Sequence, residues 1–62
     1  MKLFCVSSNV PEFKEGEEYQ AYYNGIEYRV IYEDAGEIVA DYDDDSGYII
    51  AEFFNDGLVE FE

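Results

Sequence analysis

The sequence predicts an all-β fold, a small antiparallel barrel of five or six short strands with at most one short helical turn near the C-terminus. Two observations carry this expectation. Turn-forming clusters recur about every eight to twelve residues between short runs of β-branched and aromatic residues, the spacing of a barrel or sandwich. The run Glu18 to Tyr32, EYQAYYNGIEYRVIY, places Asn24-Gly25 between two alternating segments, which is a strong short-range hairpin signal. A two-residue type I′ turn there predicts Tyr23 opposite Ile26, Tyr22 opposite Glu27, Ala21 opposite Tyr28, Gln20 opposite Arg29 and Tyr19 opposite Val30. Tyr19, Ala21 and Tyr23 then share a face with Ile26, Tyr28, Val30 and Tyr32, while Gln20 and Arg29 share the other.

The remaining elements follow in order. Lys2 to Val6 (KLFCV) reads as a first strand, and Ser7-Ser8-Asn9-Val10-Pro11 breaks it, because proline cannot donate to a ladder. Gly16 marks a turn or bulge before the hairpin strands, Glu18 to Tyr23 and Ile26 to Tyr32. Glu33-Asp34-Ala35-Gly36 turns the chain into Glu37 to Tyr42, and the acidic turn Asp43-Asp44-Asp45-Ser46-Gly47 leads into Tyr48 to Phe53. Ala51 to Asn55 is the one place for a turn of helix. Asn55-Asp56-Gly57 is the last turn, before a strand from Leu58 to Phe61.

Length allows one domain, residues 1–62. A chain this short buries only roughly 60% of its unfolded surface, so seven Tyr and five Phe must supply much of the core. Closure into an SH3-like barrel is the economical arrangement, since it removes exposed strand edges. The single cysteine, Cys5, lies in the apolar run Leu3 to Val6 and reads as a small core residue, consistent with a reducing compartment. No apolar run is long enough to span a membrane and no signal-peptide pattern is present, so a cytoplasmic location is expected.

Phe13-x-x-Gly16-x-x-Tyr19, followed by a hairpin, an acidic turn ending in glycine and a late Phe53-Phe54, resembles small SH3-like β-barrel proteins encoded in phage and prophage genomes. The resemblance implies that fold and a phage context. It assigns no activity.

Charge bounds the function. Sixteen carboxylates against three basic residues leave a net charge of −13. Direct nucleic-acid binding is disfavoured, because phosphate contacts need Lys and Arg, and so is an anionic membrane surface. An enzyme is not expected: there is no His to act as general base, Cys5 and the serines have no evident partner base, and the chain is too short to wall off a substrate cleft. No cofactor is expected.

Acidic residues at Asp41, Asp43 and Asp45, with Glu52 at the twelfth position, follow the spacing of a calcium-binding loop. The glycine that loop needs at its sixth position is displaced to Gly47, and the flanks read as strands. A solvated turn is the preferred reading, with a weak cation site as the alternative.

Two readings of the remaining charge compete. Carboxylates on the turns of a rigid barrel can approximate nucleic-acid phosphates and engage a basic groove on a host protein, such as a nucleic-acid-handling enzyme. The contact residues expected for such a phage-type inhibitor or DNA mimic are Asp43, Asp44 and Asp45 with Tyr42 and Tyr48, helped by Glu33 and Asp34. The other reading is a structural or adaptor module that binds through a sheet edge or a Tyr-rich face, its charge serving only solubility. The sequence leaves oligomeric state open.

Overall fold

The computed structural model of the chain describes residues 1–33, 36–53 and 56–62. Six strands form: β1 (Lys2–Ser8), β2 (Glu18–Tyr23), β3 (Tyr28–Tyr32), β4 (Gly36–Tyr42), β5 (Ile49–Glu52) and β6 (Leu58–Phe61). Each pairs antiparallel with the next, and β6 returns to β1, so the sheet closes into a barrel. Among the described residues there is no helix; Ala51 and Glu52 belong to β5, and the rest of the expected helical turn includes Phe54 and Asn55, which lie outside them.

β1 makes closure possible. Its first half pairs with β2 (Leu3 opposite Tyr19) and its second half with β6 (Cys5 opposite Phe61). A register shift between Cys5 and Ser7 bends the strand from one neighbour to the other, the usual effect of a bulge. The strand therefore runs on to Ser8 opposite Val59, past the break expected at Ser7.

The β2–β3 hairpin forms, but two residues out of the expected register. Tyr23 pairs with Tyr28, Tyr22 with Arg29 and Ala21 with Val30, leaving Asn24 to Glu27 as the loop. The cause is the asparagine side chain. Its Oδ1 accepts hydrogen bonds from the backbone N–H of both Ile26 and Glu27, each at 2.9 Å, and the Asn24 N–H reaches the Glu27 carbonyl at 3.1 Å. Gly25 alone takes a positive φ (95°), so the two left-handed residues of a type I′ turn are absent. A slip of two keeps the faces within the paired strands, with Ala21 and Val30 buried, Tyr19, Tyr28 and Tyr32 packed against the core and Gln20 and Arg29 outside it. It releases Ile26 into the loop, however, so Ile26 and Tyr23, expected on the core face, are exposed instead.

The core is narrow and apolar. Ala21, Ala40 and Ala51 are buried on three strands, and Leu3, Cys5, Val30, Val59 and Phe61 complete the strand contribution. Phe13 comes from the β1–β2 loop and plugs one mouth, only 2% exposed. Its ring meets Tyr19 (4.7 Å between centroids), Phe61 (5.3 Å), Tyr32 (5.4 Å) and Phe53 (6.0 Å), all edge-to-face. The loop is pinned to β1: Gly16 N–H donates to the Cys5 carbonyl and Cys5 N–H to the Glu17 carbonyl, both at 2.9 Å. Gly16 takes φ +91°, and the Tyr19 hydroxyl accepts the Lys14 N–H at 2.7 Å. Phe13, Gly16 and Tyr19 thus act as plug, turn and latch. Cys5 is fully buried, and burial pushes its thiol pKa up, as expected for an inert core residue.

Candidate functional site

Strand direction decides which loops meet. β2 and β4 both end, and β3 and β5 both begin, at the same end of the barrel, so the Asn24–Glu27 and Asp43–Tyr48 loops share it. Glu33, with φ 53°, lies in the β3–β4 turn at the opposite end, roughly 20 Å away along the seven residues of β4. Asp34 lies outside the described residues. The contact set expected from sequence is therefore split: the structure brings together Tyr42, Asp43, Asp44, Asp45 and Tyr48, and not Glu33.

Within the acidic loop the aspartates do different work. Asp43 N–H donates to the Tyr48 carbonyl and Gly47 N–H to the Asp43 carbonyl, both at 2.8 Å, closing the hairpin. Asp43 Oδ2 accepts the Ser46 N–H at 3.0 Å, and Ser46 Oγ accepts the Tyr48 N–H at 3.1 Å. Asp43 is thus a half-buried structural residue, while Asp44 and Asp45 are exposed. Gly47 takes φ +79°, the left-handed conformation that lets the chain re-enter β5. That requirement places glycine at the end of the loop, one residue later than a calcium loop needs it.

The alternative cation site does not assemble. Asp41 is exposed on β4, the Asp43 carboxylate holds its own turn, and Glu52 ends β5 toward the other mouth. Among the described residues no three acidic, cysteine or histidine side chains converge to hold a metal ion.

Beside the acidic loop is a surface of which the expected contact set held only Tyr42. Tyr23, Ile26, Glu27, Tyr28, Asp41 and Tyr42 line a cleft of about 410 Å³. Ile26 is 80% exposed, Tyr42 58% and Tyr23 52%. The Tyr23 and Tyr28 rings lie 5.0 Å apart. The expected register hid this surface, because it placed Ile26 in the strand on the core face, whereas the four-residue loop puts it at the hairpin tip with no core to enter. Glu27 is held in place by Arg29, whose Nε and NH2 both lie 2.9 Å from Glu27 Oε2. Tyr22, expected off the core face, is there, and its hydroxyl donates to Glu37 Oε1 at 2.8 Å. Losing that hydrogen bond on ionisation pushes the Tyr22 pKa up, with lesser contributions from burial and the Glu37 charge.

This end of the barrel can present rigid aromatic area and fixed negative charge together. Compared with protein-family models, with curated proteins and with solved structures, the chain matches none.

Proposed function

We propose that this barrel is a non-catalytic acidic binding protein that occupies a basic, normally nucleic-acid-binding, surface of a host protein. One observation carries the reading: Tyr23, Asp41 and Tyr42 at the strand ends are exposed on the same end of the barrel as Ile26, Asp44 and Asp45, whose loops are tied by their own hydrogen bonds. Exposed tyrosines supply contact area at low entropic cost, the carboxylates supply steering, and a net charge of −13 excludes an acidic target. The resemblance to phage and prophage barrels supports a target in the cytoplasm of a host cell.

The adaptor reading is weakened in one respect. Pairing of β6 with β1 closes the barrel, so among the described residues strand addition could use only the parted ends of β4 and β5, and an adaptor would depend mainly on the aromatic face. Salt separates the two. Capture from a bacterial lysate at low ionic strength, followed by stepwise elution, should recover a DNA- or RNA-handling protein that leaves at moderate salt. Asp44→Asn with Asp45→Asn should abolish retention, while Tyr42→Ala should weaken it. Retention that resists salt and ignores both aspartates refutes the mimic.

A further inference from the structure

We infer that the cleft between β4 and β5 is a seat for an arginine side chain of the basic protein this barrel binds. The inference rests on the proposed function and names the group recognised at a second point of the surface.

The cleft arises from the ladder. β3 and β4 make five residue pairs and β5 and β6 make four, but β4 and β5 are joined only through Asp41–Ile50 and Tyr42–Ile49. Beyond those pairs the start of β4 and the end of β5 part, opening a space of about 450 Å³ lined by Glu12, Tyr32, Glu37, Ile38, Glu52 and Phe53. That size falls within the usual range for ligand pockets.

Its walls are of two kinds. Tyr32 and Phe53 stand 6.3 Å apart at 62°, and both rest on the buried Phe13 ring, so the apolar floor is preformed. Three carboxylates, from the β1–β2 loop, β4 and β5, stand around it, and no basic side chain lines it. Arg29 has NH1 3.8 Å from Glu37 Oε1, but its Nε and NH2 are committed to Glu27. Glu37 also accepts the Tyr22 hydroxyl, which fixes one oxygen and leaves the other for a ligand. The Glu12 and Glu52 carboxylates have no hydrogen-bonding or ion-pair partner among the described residues.

The chemistry of the lining selects the occupant. These carboxylates do not converge closely enough to hold a metal ion. They surround a volume suited to a larger, planar cation. Guanidinium is planar, weakly hydrated, stacks on aromatic faces and can bond several carboxylate oxygens at once, whereas ammonium is compact and strongly hydrated. A basic partner supplies the complementary charge.

The test uses the whole chain, ¹⁵N-labelled, titrated at low salt with N-acetyl-arginine amide and, separately, with its lysine and citrulline counterparts. Arginine should produce saturable shifts at the amides of Tyr32, Ile38 and Phe53, lysine smaller ones and neutral citrulline none. Glu52→Gln, an exposed change, should weaken the arginine response about two- to fivefold, the usual worth of one exposed ion pair. Equal shifts from citrulline, or arginine shifts confined to the Asp44–Asp45 loop, would overturn the seat. The titration needs no protein target, and lysate capture through Asp44 and Asp45 needs no cleft, so either can fail alone.

Discussion

Replacing Phe13 tests whether a loop residue closes this barrel. The ring is almost wholly buried and makes four edge-to-face contacts, with aromatic residues from β2, β3 and β6 and with Phe53 beyond β5. Truncating such a residue to alanine costs about 3–5 kcal/mol. A domain of 62 residues has a total stability of roughly 3–9 kcal/mol at the usual contribution per residue. Phe13→Ala should therefore remove at least about a third of that stability and, at the low end of the range, all of it. Phe13→Leu keeps most of the apolar volume and loses the ring contacts, at about 1–2 kcal/mol. That corresponds to a fall in Tm of roughly 4–16 °C for a domain of this size. Urea and thermal unfolding followed by far-ultraviolet circular dichroism and tyrosine fluorescence would read both variants, as there is no tryptophan. Ile26→Ala, at the exposed hairpin tip, serves as control and should stay within about 0.5 kcal/mol of the parent. A Phe13→Ala variant melting within a few degrees of the parent would refute the plug and the loop docking inferred from it.

Three further outcomes are expected. Tyr22 should ionise above its ordinary value, and Glu37→Gln should bring its absorbance titration back down, because the bond to Glu37 is the main cause. Since the folded-state pKa is the higher one, the stabilisation it brings is complete below about pH 10 and is lost as pH rises through the folded value. Melting above pH 10 should accordingly fall more steeply in the parent than in Glu37→Gln. Gly57→Ala would put a Cβ 2.6 Å from Val10 Cγ1 and 2.7 Å from Phe53 Cβ, an overpacking that should cost about 1–3 kcal/mol by urea unfolding. Finally, self-repulsion at −13 predicts a Tm that rises with added salt, from about 10 mM to about 500 mM sodium chloride, as screening shortens the reach of each charge.

What the sequence made legible was local. β2 and β6 run over the residues expected, because turn formers bound β2 on both sides and Asp56-Gly57 sets the start of β6. The hairpin register was not legible, since Asn24 supports two turn geometries and its own side chain decided between them. Faces within the paired strands survived that error because the slip was an even number of residues. Asp43 looked like one member of an acidic surface, yet its carboxylate caps its own turn, a role visible only once Gly47 was seen to close the loop. The separation of Glu33 from Asp44 follows from strand direction and needed only the strand count. The β4–β5 cleft depends on where two strands part, a property of the whole barrel that no single stretch encodes.

The two surfaces proposed here are joined by one strand. β4 carries Glu37 and Ile38 beside the cleft at its start, and Asp41 and Tyr42 at the acidic end. The barrel measures 26 × 26 × 22 Å and exposes 4245 Å². A standard protein interface takes about 800 Å² from each side, close to a fifth of that surface and wide enough to cover β4 from end to end. A single basic partner lying along β4 and β5 would thus touch both, while Glu33 would stand at its rim. Asp44 and Glu52 lie toward opposite ends of that side and share no contact, so Asp44→Asn and Glu52→Gln should weaken binding additively to within about 0.5 kcal/mol. Measuring the single and double variants by calorimetry against the captured target checks this. If Glu52→Gln leaves that affinity unchanged while Asp44→Asn lowers it, the cleft faces away from the target and the interface lies on the acidic end alone.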